Sequence, residues 1–297
     1  MITVTRQQVM AKLDSFPAMP RTAARVMKLL SDPTSNATVV ERSVRYDPGL
    51  TANILKLANS SYLGFPRRIG SVRQGIVRLG WKRVYQLAVA SCVSGIMSKP
   101  VPGYALPHGE LWRHCVGVSV ATEQLMKRLK LPPSEETFTA ALLHDVGKLI
   151  MGSFVEEGLE RIEFLSARGM SFETAELEII GIDHAEIGAQ VLEKWLLPVG
   201  LVQVVRWHHK PDRAVRRNAN LDMVHVADVL CLMLGMGIGR EGLGYKPAQS
   251  AMARLGLKAT DLEGVACNTL DGVQELSEII DFPLNVTPAG DLRQDVM

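Results

Sequence analysis

Apolar residues recur at helical spacing along most of the 297-residue chain. Val26, Leu29 and Leu30 form one set, Ile54, Leu55 and Ala58 a second, and Val84, Leu87 and Ala88 a third. Side chains three or four apart share one face of a helix, so each set predicts a helix with one buried stripe. Period-2 runs bounded by turn residues, the mark of strands, are scarce. Helix starts are legible as well. Asp47 stands before Pro48 as an N-cap followed by a first-turn proline, and Ser134 stands before Glu135 and Glu136, which places acids at the positive end of a helix dipole. Asp183 with Glu186 three residues later resembles a capping box, predicting a helix from His184. The predicted fold class is all-α.

Two breaks interrupt the pattern. Lys99 to Gly103 (KPVPG) places two prolines and a glycine in five residues, which ends the preceding helix and permits a linker. Gly235 to Pro247 holds five glycines and a proline. The chain therefore divides into an N-terminal helical subdomain over 1–103, a second helical bundle over 104–235 and a C-terminal helical extension over 236–297 that ends in a polar, frayed tail.

A chain with 47% hydrophobic and 22% charged residues is not disordered as a whole, and a net charge of +2 supplies no field that draws nucleic acid or membrane. The charge is uneven, however. Arg67, Arg68, Arg73, Arg78, Lys82 and Arg83 fall in one stretch without an acid, whereas Val155 to Glu193 carries ten acids against Arg161 and Arg168. This predicts a basic face on the N-terminal half and an acidic flank later, either as solvated helix faces or as docking surfaces. No aromatic interleaving supports stacking of single-stranded nucleic acid. The cysteines Cys92, Cys115, Cys231 and Cys267 are widely separated and read as reduced thiols of a cytoplasmic protein. Met1 to Met10 has one basic residue and no apolar core, unlike a signal peptide. Val229 to Ile238, the most apolar run, is about half the roughly 20 residues a bilayer span needs and reads as a buried helix end.

Five of the seven histidines lie between His114 and His209. The sharpest local signal is Ala141 to Lys148 (ALLHDVGK), where His144 and Asp145 interrupt a hydrophobic helix. Burying an unpaired charge costs several kcal/mol, so adjacent ionisable groups there need partners, and a divalent metal is one. Lys148, four residues after His144, shares its helix face and offers a positive charge to an anion beside that metal. Glu110 and His114 are spaced i, i+4. His184 opens a helix, His208 and His209 follow an apolar segment, and Asp228 interrupts the apolar run Val224 to Leu234. Each alone also fits an ordinary satisfied polar residue, and His108 and His225 carry no assigned role.

The order His114, His144-Asp145, Asp228 resembles the HD superfamily of metal-dependent phosphohydrolases over about Ala105 to Leu234. The resemblance implies a metal site built from those four residues, extended in the HD-GYP cyclic-dinucleotide phosphodiesterases by residues matching Glu110, His184, His208 and His209. Lys148 matches the lysine that contacts substrate phosphate, and Asp145 and Lys148 would be the catalytic pair. The N-terminal half refines this. Phe16 to Pro20 (FPAMP), Tyr46 to Leu50 (YDPGL), Leu57 to Gly64 (LANSSYLG) and Ser71 to Gly80 (SVRQGIVRLG) are similar to the HDOD, or HD-related output, domain, as are Trp112 to His114 and Gly181 to Gly188 (GIDHAEIG).

That resemblance spans roughly Leu13 to Leu234. It implies a bacterial regulatory or signal-transduction module, an N-terminal helical subdomain packed against an HD-type bundle, and one or two divalent transition metals: iron, manganese, nickel or zinc. It implies a protein partner and no membrane; nucleic acid is the least favoured ligand. The alternative is a phosphohydrolase acting on a nucleotide, cyclic dinucleotide or other phosphate ester. The chain lacks the Gly-Tyr-Pro loop that follows the histidine pair in the phosphodiesterases, having Lys210 to Arg213 there, and Gly244-Tyr245-Lys246 reads as coincidence. This departure points away from cyclic-dinucleotide hydrolysis and leaves metal binding untouched.

Overall fold

A computed structural model describes residues 5–19, 24, 25, 28, 29, 32, 34, 36–44, 48–59, 69–132, 134–216, 218–242 and 245–280. Among these, regular structure is helical throughout, and the one strand-like pairing is an isolated bridge between Val101 and Leu106. The first part holds α1 (Arg6–Ser15), α2 (Ala37–Val44), α3 (Pro48–Ala58) and the long α4 (Val72–Met97), which is kinked at Gly80. The rest comprises α5 (Glu110–Arg128), α6 (Glu135–Leu143), α7 (Lys148–Ser166), α8 (Phe172–Ile180), α9 (His184–Lys194), α10 (Val199–Trp207) and α11 (Ala219–Met233). Two further helices, α12 (Gln249–Leu255) and α13 (Ala259–Ile280), follow.

The periodic sets face inward as predicted: Ile54, Ala58, Val84, Leu87 and Ala88 are buried, whereas Val26 and Leu30 lie outside the described residues. Pro48 opens α3; its predicted cap, Asp47, also lies outside, as do Pro20, Tyr46, Ser60 to Gly64, Arg67, Arg68 and the C-terminal tail. Ser134 caps α6 by accepting from Thr137 N, 3.1 Å away. Asp183 caps α9 by accepting from Glu186 N at 2.8 Å, but the Glu186 side chain does not return the bond: it pairs with Arg206 Nε at 2.8 Å.

Residues of α4 belong to two apolar clusters. Val72, Ile76, Val84, Leu87 and Ala88 pack with Val40, Val44 and Ile54, while Val89, Val93 and Met97 join the large cluster formed with α5 to α11. The prolines after Met97 end α4 as expected, but the segment that follows is packed. Val101 and Leu106 exchange backbone hydrogen bonds of 2.8 and 3.2 Å, Tyr104 is buried, and its carbonyl accepts from Arg240 N at 3.0 Å. A stretch of 32 residues, Glu135–Ser166, is long and apolar enough to cross a membrane, yet 89% of its apolar window is buried within the fold, as for core helices.

The predicted charged faces are partly internal. Arg83 pairs with Glu123 at 3.3 Å and Arg78 donates to Ala58 O at 3.4 Å, while Arg73 stays exposed. On the acidic side Glu173 and Glu176 are buried, and Arg206 and Arg240 engage Glu186, Glu193 and Glu163. The C-terminal end of α1 lies against the end of α9. Lys194 Nζ, at the end of α9, donates to the carbonyls of Leu13, Asp14 and Phe16 at 2.9, 2.6 and 3.0 Å, which places a cation on the negative end of α1. Trp195 Nε1 adds a 2.9 Å bond to Pro17 O.

Candidate metal centre

Five helices bring the predicted histidines and aspartates to one place. His114 projects from the middle of α5 and Asp228 from the middle of α11. The others sit at helix ends: His144 is the C-cap of α6, Asp145 lies in the turn before α7, His184 is the first residue of α9, and His208 caps α10 with His209 next in the turn. The sequence placed His144 and Asp145 inside one helix. Instead that helix breaks at residues 144–147, freeing both side chains to turn inward. The break allows a close crossing. A Cβ on Gly147 would lie 2.0 Å from His184 O and 2.6 Å from Gly188 N, so a side chain there would push α9 away from Asp145.

Asp145 is the pivot. Its Oδ2 is 3.4 Å from His144 Nε2 and 3.6 Å from His114 Nε2, and its Oδ1 is 3.5 Å from His184 Nε2 and 3.7 Å from His208 Nε2. Asp228 Oδ1 is 3.0 Å from His114 Nε2 and 3.6 Å from His144 Nε2, with Oδ2 3.8 Å from His209 Nδ1. His184 Nε2 and His209 Nε2 face each other at 2.9 Å. Three groups of ligand atoms lie within 4.8 Å of one another: Asp145, His184, His208 and His209; His114, His144 and Asp145; and His144, His208 and Asp228.

The tautomers explain why this set suits a cation. A carbonyl oxygen only accepts, so His144 Nδ1 donates to Ala141 O, His208 Nδ1 to Val205 O, and His114 Nδ1 to Met236 O, at 2.7, 2.7 and 3.0 Å. His184 Nδ1 donates to the buried carboxylate Glu176 at 2.8 Å. In a neutral imidazole the other nitrogen, Nε2, then carries the lone pair, and all four Nε2 atoms converge. Asp145 Oδ1, His208 Nε2, His209 Nδ1 and Asp228 Oδ2 are also buried without any hydrogen-bond partner. Orphaned polar atoms are rare in a core, and four of them spread over overlapping ligand groups fit one or more cations. Metal bonds of about 2.0–2.1 Å set neighbouring ligands roughly 3–3.5 Å apart, close to the separations found.

Protonation divides the cluster in the same sense. Burial alone lowers an imidazole, but the charge of Asp145 raises His144 well above its ordinary value, and Glu176 holds His184 up to about 9. Burial together with the neighbouring His144 takes His208 down to about 3, and burial with His208 and His184 lowers His209. Asp145 and Asp228 stay well below the usual carboxylate range against the pull of burial, Asp145 through Lys148 and His144 and Asp228 through its bonds to His114 and His144.

Two predicted residues differ in placement. Glu110 joins none of the ligand groups; it is half-exposed and paired with Arg113 at 3.1 Å. Lys148 presents no free charge, because its Nζ lies 2.7 Å from Asp145 Oδ2 and 2.6 Å from Glu241 Oε1, and its side chain is 5% exposed. Sequence reasoning missed Glu176 and Glu241, and it dismissed Tyr245, whose ring stacks on His209 at 5.2 Å while its hydroxyl donates to Glu173 at 2.9 Å. His225, left without a role, donates from Nδ1 to His208 O at 2.6 Å and accepts from Ala248 N at 2.9 Å, tying α12 to the histidine pair. The adjoining thiols Cys115 and Cys231 are free and held protonated by burial. An open cavity of roughly 300 Å³ reaches the cluster only at His209; Trp207, Lys210, Arg206, Arg6 and Arg213 are among its lining.

Comparison with known proteins places this geometry. The HDOD domain profile matches residues 16–211. A crystal structure from Shewanella amazonensis SB2B, provisionally named a phosphohydrolase, is 26% identical, with a TM-score of 0.68 over 92% of this chain and 97% of that one. An HDOD domain protein of unknown function from Geobacter sulfurreducens shares the fold at 24% identity, with a TM-score of 0.69 over 93% of this chain and 92% of its own. A Marinobacter aquaeolei VT8 protein, provisionally named for signal transduction, does so at 19% identity, with a TM-score of 0.72 over 93% of this chain and 65% of its own. An uncharacterised Treponema pallidum protein is 21% identical over 212 residues, 68% of this chain; the chain spans 39% of its length.

Proposed function

Because the chain belongs to the HDOD domain family, we propose that it acts as a regulatory signalling module whose histidine–aspartate cluster holds one or two divalent transition metals as a buried packing and sensing element. One observation carries this reading: apart from His209, which the cavity reaches, the cluster is closed to solvent. His114, His144, Asp145, His184, His208 and Asp228 are at most 2% exposed, and Lys148 is spent on two carboxylates. Structural metal sites are closed by protein ligands, whereas catalytic ones keep a position open. Mixed imidazole and carboxylate donors suit iron, manganese, nickel or zinc.

A metal at this place would join five helices, so its loss would loosen their packing and alter the surface offered to a protein partner. We treat residues 1–103 as the output subdomain, 104–235 as the metal-holding unit and 236–297 as its extension, in a cytoplasmic protein. A second reading, a metal-dependent phosphohydrolase, is supported by the convergence of every predicted ligand except Glu110 and by the provisionally named Shewanella relative. A bound metal would there supply an acidified water nucleophile. Asp145 would hold the metal in either case.

Metal analysis of the protein purified without added metal tests the premise. A screen of nucleotides, cyclic dinucleotides and a generic phosphodiester with manganese or iron then separates the readings. Metal without turnover supports the regulatory module; turnover abolished by Asp145→Ala supports the enzyme. Protein free of transition metal overturns both.

A further inference from the structure

Glu241 has no part in the ligand set, yet its side chain is 4% exposed. It is delivered by a surface turn: the preceding Arg240 remains 38% exposed. The turn is anchored where Gly239 packs against Tyr104 O, 2.1 Å from the position a Cβ would take, and where Arg240 N donates to the same carbonyl. Glu241 Oε1 lies 2.6 Å from Lys148 Nζ, and Oε2 is buried with no hydrogen-bond partner. One ammonium therefore faces two carboxylates. Asp145 is also shared among imidazoles, whereas Glu241 receives a single charged bond in return for its hydration. That is a weak exchange for a buried charge.

Lys148 is the position that matches the phosphate-contacting lysine of the HD phosphohydrolases, and we propose that the Glu241 carboxylate is its internal competitor, which a phosphate-like oxyanion must displace. A carboxylate places one oxygen on Lys148 and leaves the other stranded. A tetrahedral oxyanion would meet Lys148 with one oxygen and leave others for a cation held by Asp145. In this respect the inference rests on the metal-centre reading. Glu241, released, regains water at the surface of its own turn. Tyr245 stacks on His209 and donates to Glu173, both of which line the 300 Å³ cavity.

The test uses the full chain with inorganic phosphate as the probe, titrated calorimetrically into as-purified and chelator-treated protein. Glu241→Gln keeps the side-chain shape and removes the competing charge. If Glu241 masks the site about nine-tenths of the time or more, this variant binds phosphate at least roughly tenfold more tightly than wild type, since apparent affinity scales with the unmasked fraction. Adding Lys148→Met abolishes the gain. In wild type, saturating phosphate speeds amide exchange at residues 239–242. A folded Glu241→Gln protein that binds phosphate within about twofold of wild type overturns the proposal, as does a gain that survives Lys148→Met. If Glu241→Gln does not fold, unchanged amide exchange in wild type overturns it instead. Metal content is measured on every sample. Wild type without metal refutes the metal-centre reading, while the comparison of Glu241→Gln with wild type still decides the anion site.

Discussion

Glu176 offers a clean separation between holding the fold and tuning the centre. Its Oε2 accepts from the backbone N and the Nδ1 of His184 at 2.9 and 2.8 Å, and its Oε1 accepts from the Tyr104 hydroxyl at 2.5 Å. All three partners are fully buried. In Glu176→Gln the amide oxygen keeps both bonds to His184, and the amide NH₂ donates to Tyr104, whose hydroxyl rotates to accept. His184, no longer held up to about 9, stays neutral, so no stranded charge results. The metal-free fold then loses under about 1 kcal/mol. The loss falls on the metal instead: neutralising the carboxylate that makes a histidine ligand more basic weakens binding by about tenfold, or roughly 1.4 kcal/mol, the lower end of the range for losing such a partner outright. Glu176→Ala differs in kind, because three buried donors lose their acceptor at about 1–3 kcal/mol each and a cavity opens, for about 3–5 kcal/mol after relaxation. Guanidinium unfolding of chelator-treated protein measures the first quantity, and competition with a chromogenic chelator the second. The reasoning fails if Glu176→Gln destabilises the metal-free chain as much as Glu176→Ala, or binds metal as tightly as wild type.

Other consequences follow from the same contacts. Chelation should lower the melting temperature reversibly, by the equivalent of about 2.7 kcal/mol if free metal had stood at a hundred times its dissociation constant; scanning calorimetry that shows no shift contradicts a metal tying five helices. Gly147→Ala drives a methyl into His184 O and Gly188 N, both backbone, and should cost about 3 kcal/mol together with metal content; a stable, metal-loaded variant would show that the crossing of the 144–147 turn with α9 is not what positions Asp145. Lys194→Met removes three bonds to the end of α1 and should weaken its docking by about 1–2 kcal/mol, seen as faster amide exchange over residues 6–15 with α5 and α11 unaffected.

Helical periodicity was enough to read the fold class, because buried stripes such as Val84, Leu87 and Ala88 are local patterns. The convergence of His114, His144, Asp145, His184, His208, His209 and Asp228 was legible chiefly through the resemblance to the HD superfamily: of these only His144, Asp145 and Asp228 interrupt apolar segments, and each alone also fits an ordinary satisfied polar residue. Glu176 and Glu241 gave no such signal. Glu176 sits among other acids in α8 and resembles a solvated face until Tyr104 and His184 are packed against it. Glu241 belongs to a glycine-rich break, where no period applies, and only the fold returns that break to Lys148. Lys148 itself was expected to offer a free charge because its second carboxylate comes from 93 residues further along. The i, i+4 spacing of Glu110 and His114 gave a shared helix face, but Arg113, three residues from Glu110, was the nearer partner.

What a metal at this place can regulate follows from where each tied helix leads. α9 begins with His184, a candidate ligand, and ends with Lys194, which caps α1; Trp195, the next residue, holds Pro17 and stacks on Phe16 at 6.1 Å. One rigid helix of 11 residues therefore connects the centre to the N-terminal arm. If metal and α1 docking both favour one setting of α9, they are thermodynamically linked, and the coupling is the same in both directions. Lys194→Met touches no ligand, yet it must weaken metal binding by the factor by which metal removal weakens α1 docking. A factor above one in both measurements, one from chelator competition and the other from amide exchange over residues 6–15, shows that the arm and the centre are coupled. Metal affinity unchanged in Lys194→Met, alongside a freed α1, shows that the arm and the centre are independent.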